Sequence, residues 1–408
     1  MDSLTQIILG AATGELAGGK KLGRKAMLWG AVGGTIPDLD VMFGGIFKMI
    51  GWMDEMDALA FHRGISHSIF FAILAPLILG RMLAWHYKNP NRKYTSLIGS
   101  LFIYGLVGVA VNFVFYEASG RTINTKVLSW TIFLSVPVAW LLYRRFFKRT
   151  LSEVTGSWKD FGWVFFWSIF THPLLDCCTT YGTQIFQPFS DFRVGFNNIA
   201  VADPIYTVPF AICIILAAFF LKKHPIRKYL SIAGLVVSSC YLTWTVYNKY
   251  RVDQVIEQSL AAQDIAYDRY MSSPTILNNF LWNCVVEADS VYYQSLYSIL
   301  DKEPKIDKWN IYPKNRYFLK GHESDKAIKT LVWFSNGYYN VVRREDGKLQ
   351  LSDLRFGTIG EEATSPDDFV FKFYLVEKDG ILEATQSADR PPIKEDTFTK
   401  FFERIKGK

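Results

Sequence analysis

Histidine and cysteine are both scarce in these 408 residues, with six of the first and five of the second. Four of the cysteines (Cys177, Cys178, Cys213, Cys240) lie in apolar runs and Cys284 stands alone, which excludes a disulfide framework. They read as small apolar filler, and the vicinal pair Cys177–Cys178 reads so in preference to a thiolate metal pair. No zinc-finger spacing and no aromatic–basic stripe occurs, so the net charge of +7 does not point to nucleic acid. A basic segment followed by an apolar core and a cleavage site is missing at the start, and no removable signal peptide is expected. Past Tyr247 long apolar runs are missing too, whereas before it charge is the scarce commodity.

That contrast divides the chain into an expected membrane domain, 1–247, and an expected water-soluble domain, 248–408, long enough for a core of its own. Runs 95–116, 127–143, 204–221 and 229–247 are long enough to span a bilayer, and 69–85 joins them with Arg81 near one end. Run 161–180 turns polar halfway, while 4–18 and 26–47 are rich in small residues and carry Glu15, Asp38 and Asp40. The expectation is an all-α polytopic domain of about eight helical segments. Loops 20–25, 86–94, 144–160 and 222–228 hold sixteen Lys/Arg, and loops 48–63, 117–126 and 183–203 hold five. The first set alternates with the second, which assigns it to the cytoplasm.

For the C-terminal part the pattern predicts an α+β fold. It reads as helical from Arg251 to about Leu300, then as strands at 331–334, 337–344 and 349–354, and as a hairpin of 369–377 with 381–385 around Lys378-Asp379-Gly380. It follows an eighth span, so it is expected outside the cytoplasm.

The scarce histidines are not scattered. His172 and Asp176 stand four apart on an expected helix, so their side chains share a face and can chelate one ion. Pro173, next to His172, lacks the N–H for a helical hydrogen bond and kinks the helix. Asp38 and Asp40 follow Pro37, and two close carboxylates repel unless a cation or a proton relieves them. His62 and His67 flank a glycine-containing turn. The topology gathers these residues, with Asp2 and Gln6, at one membrane face. His86, His224 and His322 lie elsewhere and read as solvated surface groups. Three histidines and several aspartates from separate segments suit one or two ions such as Zn²⁺ or Mn²⁺. Arg63 and Arg193 are then anion-binding candidates, and for Arg193 a lipid head group is an equal alternative.

At these residues the chain resembles the membrane-bound metal-dependent hydrolases of bacterial inner membranes. The matching stretches are Met1-Asp2-Ser3-Leu4-Thr5-Gln6, Gly34-Thr35-Ile36-Pro37-Asp38-Leu39-Asp40, His62-Arg63-Gly64-Ile65-Ser66-His67-Ser68 and Thr171-His172-Pro173-Leu174-Leu175-Asp176, continuing through Thr179-Thr180-Tyr181-Gly182-Thr183. More distantly it is similar to the helical zinc-dependent phospholipase C and P1-type nuclease group. The resemblance implies a phospholipase C-like helical core and a divalent metal, in the first place Zn²⁺. Asp38, Asp40, His67, His172 and Asp176 would be its ligands, with Asp2, Gln6 and Glu15 as further donors. Many members carry histidine where Gln6 stands, so one ligand is weakened here.

The leading expectation is therefore a hydrolase at the outer face of the membrane. It would act on a phosphoester or lipid-linked substrate by metal-activated water, with His62 as ligand or acid and Arg63 steadying the phosphate. Arg193 would contact substrate. A transporter or ion-binding membrane protein is the alternative, because intramembrane acids and broken helices also mark ion pathways. A non-catalytic scaffold with a structural metal is the third reading.

Overall fold

The computed structural model describes residues 1–118, 124–148, 154, 156–220, 224–387 and 396–407. Lys222, Lys223, Arg121 and Arg149 of the expected loops, and Leu221 at the end of one expected span, lie outside the described residues. The chain forms two compact units, one of Met1–Pro76 with Trp163–Lys408, the other of Leu77–Gly162.

The larger unit begins with α1 (Ser3–Leu22), which starts where the Asp2 carboxylate accepts from Thr5 N. It ends at Gly23, whose φ of 58° a side chain would resist. Helix α2 (Arg24–Thr35) returns along α1 so closely that a Cβ on Gly10, Gly14, Gly30 or Gly34 would strike the opposing backbone. Close approach through small residues is how helices associate in lipid, where apolar burial offers little drive. Pro37 has no N–H to continue the ladder, and α3 (Leu39–Met49) starts afresh after it. The expected run 26–47 is thus two helices, not one span. Helix α4 (Glu55–Phe61) opens with a reciprocal cap between Asp54 and Asp57.

Helix α5 (Ile69–Lys88) leaves this unit at Pro76, and α8 (Trp158–Asp176) re-enters it at Trp163. The smaller unit holds α6 (Arg92–Ala118) and α7 (Thr125–Tyr143), joined by Tyr104 Oη to Thr131 O at 3.0 Å and Asn112 Nδ2 to Thr131 Oγ1 at 3.0 Å. Back in the larger unit, α9 (Pro204–Phe219) is capped by Asp203, and α10 (Ile226–Ala262) follows.

Among the described residues three helices are long and apolar enough to cross a membrane: Ile69–Lys88, Thr125–Lys148 (α7 with the π-turn after it) and Ile226–Ala262, with Pro204–Phe219 shorter. That is fewer than the eight segments read from the sequence. Helices α2 and α3 are too short singly, and α8 becomes polar at His172.

Helix α10 carries the chain past Tyr247 without a break. Its Val252, Val255, Ile256 and Leu260 pack on Trp282, Cys284, Val286 and Trp309 of an antiparallel sheet. The strands are β1 (Arg269–Pro274), β2 (Leu281–Glu287), β3 (Val291–Ser298) and β4 (Asn310–Pro313), in that spatial order. The helical reading of 251–300 is therefore corrected after Ala262: β2 is buried on both faces and gives no alternation to read.

A second sheet orders β5 (Tyr339–Arg343), β6 (Leu349–Asp353), β7 (Lys372–Lys378) and β8 (Ile381–Gln386). The β7–β8 turn at Asp379-Gly380 has φ of 52° and 79°, the doubly positive pair a two-residue hairpin needs. Residues 331–334, expected as a strand, complete helix α11 (Lys326–Phe334), whose Ala327, Ile328, Leu331 and Phe334 recur on one face and are buried. Helix α12 (Thr397–Ile405) ends the described chain.

Candidate metal centre

Three elements bring the site together, each starting or ending where a chemical residue is needed. Asp38 begins α3, His67 closes the turn before α5, and His172 and Asp176 form the last full turn of α8. The turn 62–68 is fixed by the chain itself: Arg63 has a left-handed φ of 61°, its N–H donates to Asp40 Oδ2 at 2.9 Å, and its carbonyl accepts from Gln184 N at 3.0 Å.

One oxygen or nitrogen from each of Asp38, His67, His172 and Asp176 lies within 4.8 Å of the others. His67 Nε2 and His172 Nε2 are 3.1 Å apart. Asp38 Oδ1 lies 3.6 Å from the first and 3.4 Å from the second. Asp176 Oδ2 lies 3.4 Å from both. A tetrahedral ion with bonds of about 2.0–2.1 Å sets its donors about 3.3–3.4 Å apart, so these spacings suit one ion.

The hydrogen bonds decide what these atoms are. His172 Nδ1 faces the carbonyl of Gly34 at 2.6 Å, an acceptor, so Nδ1 carries the proton and Nε2 a lone pair. His67 Nδ1 lies 3.2 Å from Asp40 Oδ2, with the same consequence. Asp176 Oδ2 is buried and accepts no well-formed hydrogen bond, its cationic neighbour being Arg63 Nε at 3.3 Å. Two nitrogen lone pairs and two carboxylate oxygens therefore point at one another. Buried acceptors in such proximity repel unless a cation sits among them. These four residues form a candidate metal-binding site.

The other residues singled out from the sequence are placed as follows. Asp40 lies behind the histidines: Oδ1 meets His62 Nδ1 at 3.0 Å, and Oδ2 meets Arg63 N, His67 Nδ1 and Ser66 Oγ. His62 is a quarter exposed, and burial pushes its imidazole below its ordinary pKa against the pull of Asp40. Arg63 sets Nε 3.3 Å from Asp176 Oδ2 and donates from Nη1 to Thr179 Oγ1 at 2.8 Å. Gln6 donates to Asp176 Oδ1 at 3.0 Å and leaves its own amide oxygen buried without a partner. The Met1 amino group also pairs with Asp176 Oδ1. Asp2 caps α1, and Glu15 pairs with Arg227 of α10. Neither belongs to the group of four.

Arg193 donates to the carbonyls of Tyr181 and Gly182 and lies over the rings of Tyr181, Trp333 and Phe334. Burial pushes its pKa down to about 10. Tyr181 is the residue the spacing of acids and histidines did not reveal. Its ring packs on His62 at 5.1 Å and on Phe334 of α11 at 5.0 Å, and burial raises its pKa. It is a wedge between the site and the C-terminal fold, where Met56 and Leu59 of α4 share a core with Leu331, Phe334, Leu351 and Phe373. Of the remaining histidines, His322 bonds Asp325, and His86, in the smaller unit, lies against Thr95 and Ser96.

Helices of membrane-crossing length, with a histidine–aspartate cluster beside the start of one of them, define a membrane protein with a candidate metal centre. Residues 1–114 and 118–252 match the model of the YdjM inner membrane protein family, and the chain belongs to that family. No curated protein and no solved structure matches it.

Proposed function

We propose that this inner-membrane protein is a metal-dependent hydrolase acting on a phosphoester or lipid-linked substrate. Asp38, His67, His172 and Asp176 hold a divalent ion, Zn²⁺ or Mn²⁺. The observation that carries the reading is the meeting of four acceptor atoms, two carboxylate oxygens and two imidazole nitrogens whose rings are protonated at Nδ1. Bound there, the ion supplies Lewis-acid chemistry: it polarises a phosphoryl oxygen and eases the deprotonation of water. Asp40, Ser66 and the Gly34 carbonyl orient the two imidazoles, the outer-shell duty that metal-bound histidines require. His62, exposed at the edge and held by Asp40, is placed to give a proton to a leaving group. Arg63 steadies Asp176 and sets positive charge beside the substrate's position. The proposed likeness to the phospholipase C and P1-type nuclease group would rest on these residue types.

The test is hydrolysis of a bis-aryl phosphodiester and of short-chain phospholipids by detergent-purified protein, before and after chelation. Chelation is expected to abolish product, and Zn²⁺ or Mn²⁺ to restore it. His62→Ala is expected to lower kcat about 10²-fold or more with metal content unchanged. Absence of product across both substrate classes with metal bound would contradict the reading. One observation favours a second reading: four protein donors are as many as a tetrahedral ion takes, as in structural zinc sites. Full metal content, no hydrolysis and a large loss of stability on chelation would select that reading.

A further inference from the structure

We propose that the C-terminal fold dips its lower edge into the bilayer that α10 crosses, through the β1–β2 hairpin tip, the end of β3 and helix α12. The inference is independent of the metal chemistry.

Helix α10 fixes the level. Its 37 residues measure about 55 Å, against about 30 Å of hydrocarbon, so a good part of it stands outside. Trp244, Tyr247 and Tyr250 are the aromatic residues a helix places where it leaves the membrane. Phe280, in the hairpin between β1 and β2, packs on Trp244 at 5.6 Å. The same hairpin hangs from the loop just ahead of α9: Leu277 N donates to Ala202 O at 3.1 Å, and Asn279 Nδ2 to Asn198 O at 2.8 Å. Two helices thus place the tip at the interface.

Pairing then brings the other pieces to that level. Leu281 opposes Ser298 across β2–β3, and Ile299 N donates to Phe280 O at 2.9 Å, which puts Leu300 beside the tip. Ser298 Oγ donates to Ile405 O at 2.6 Å, and Gly407 lies against the Leu300 backbone. Arg404 clasps Asp301 and donates to Leu296 O. The C-terminal end of α12 is therefore fastened to the same edge.

What this edge shows outward is apolar. Ile276, Leu277, Leu300, Phe398 and Phe402 are each about half exposed or more. Phe398 and Phe402 are four apart on one face of α12, and Lys400 lies on the opposite face, paired with Asp396. Lys406 follows at the end of the helix. A short helix with exposed phenylalanines on one side and charged residues on the other suits the boundary between acyl chains and head groups. Continuity with the spanning helix identifies the occupant as lipid rather than a second copy or a soluble partner.

The test uses the full chain in nanodiscs containing phosphatidylglycerol, with the photo-crosslinking residue p-benzoylphenylalanine replacing Phe402, Leu277, Lys400 or Val246 in turn. Val246, exposed on α10, is the lipid reference, and Lys400 the opposite-face control. Lipid adducts at Phe402 and Leu277 are expected to match Val246 and to exceed Lys400 about tenfold. Adducts to protein at either position, or lipid yields no higher than at Lys400, would overturn the proposal. The replaced side chains are exposed, so the fold is not at stake.

Discussion

At the scale of single residues, the chain separates atoms that can hold an ion from atoms that aim them. Asp40 has both oxygens occupied by His62, Arg63 N, His67 and Ser66, so its share is orientation. Asp40→Asn keeps all four candidate donors yet loosens His67, and metal affinity is expected to fall about 10–100-fold. Competition with a chelator of known affinity measures this, and an unchanged constant would mean that Asp40 orients nothing. A second residue-scale expectation concerns Glu287, which is not one of the four. Burial alone would raise its pKa, but Lys314 at 2.8 Å and Arg269 at 2.7 Å outweigh it and hold the carboxyl below its ordinary 4.5. A carboxyl depressed in the folded state stabilises it above the unfolded value and stops doing so as pH falls through the folded one. Thermal stability should therefore decline on the acid side of pH 4.5, and Glu287→Gln should flatten that decline while lowering stability at neutral pH.

At the scale of elements, the helix pair α1–α2 supports the site through its backbone. Gly30 and Gly34 let the helices meet, and the Gly34 carbonyl fixes the His172 tautomer. Gly30→Leu is expected to push α2 away, lowering both melting temperature and metal content, whereas Gly45→Leu, with open space around it, should change neither. Equal behaviour of the two variants would refute the coupling. The same elements show what a sequence discloses. Asp38, His67, His172 and Asp176 were legible because ionisable groups are rare among apolar runs, and the apolar runs and the Asp379-Gly380 hairpin were legible from period and turn chemistry. Glu15 drew notice by the same rule, yet its partner is Arg227, more than two hundred residues away, and no local pattern reveals such a pairing. Strand β2 was read as helix because burial on both faces erases alternation. Residues 331–334 were read as a strand because Val, Trp and Phe favour strands, and the buried face of α11 outweighed that preference.

At the scale of the larger unit, the C-terminal fold and the site are one packed body. Phe334 touches Tyr181, Phe371 and Phe373, and Tyr181 in turn touches His62. Phe334→Ala is expected to cost about 3–5 kcal/mol in unfolding, and to raise the accessibility of the site to a small chelator. Slower or unchanged metal removal would show that the fold does not cover the site. The expectations about metal content and affinity presuppose that an ion is held where four acceptors meet. The direct measurement is elemental analysis of detergent-purified protein, beside His172→Ala and Asp176→Ala combined. We expect near-stoichiometric zinc or manganese in the parent and its loss in the double variant; no transition metal in the parent, or the same content in both, would contradict the central claim.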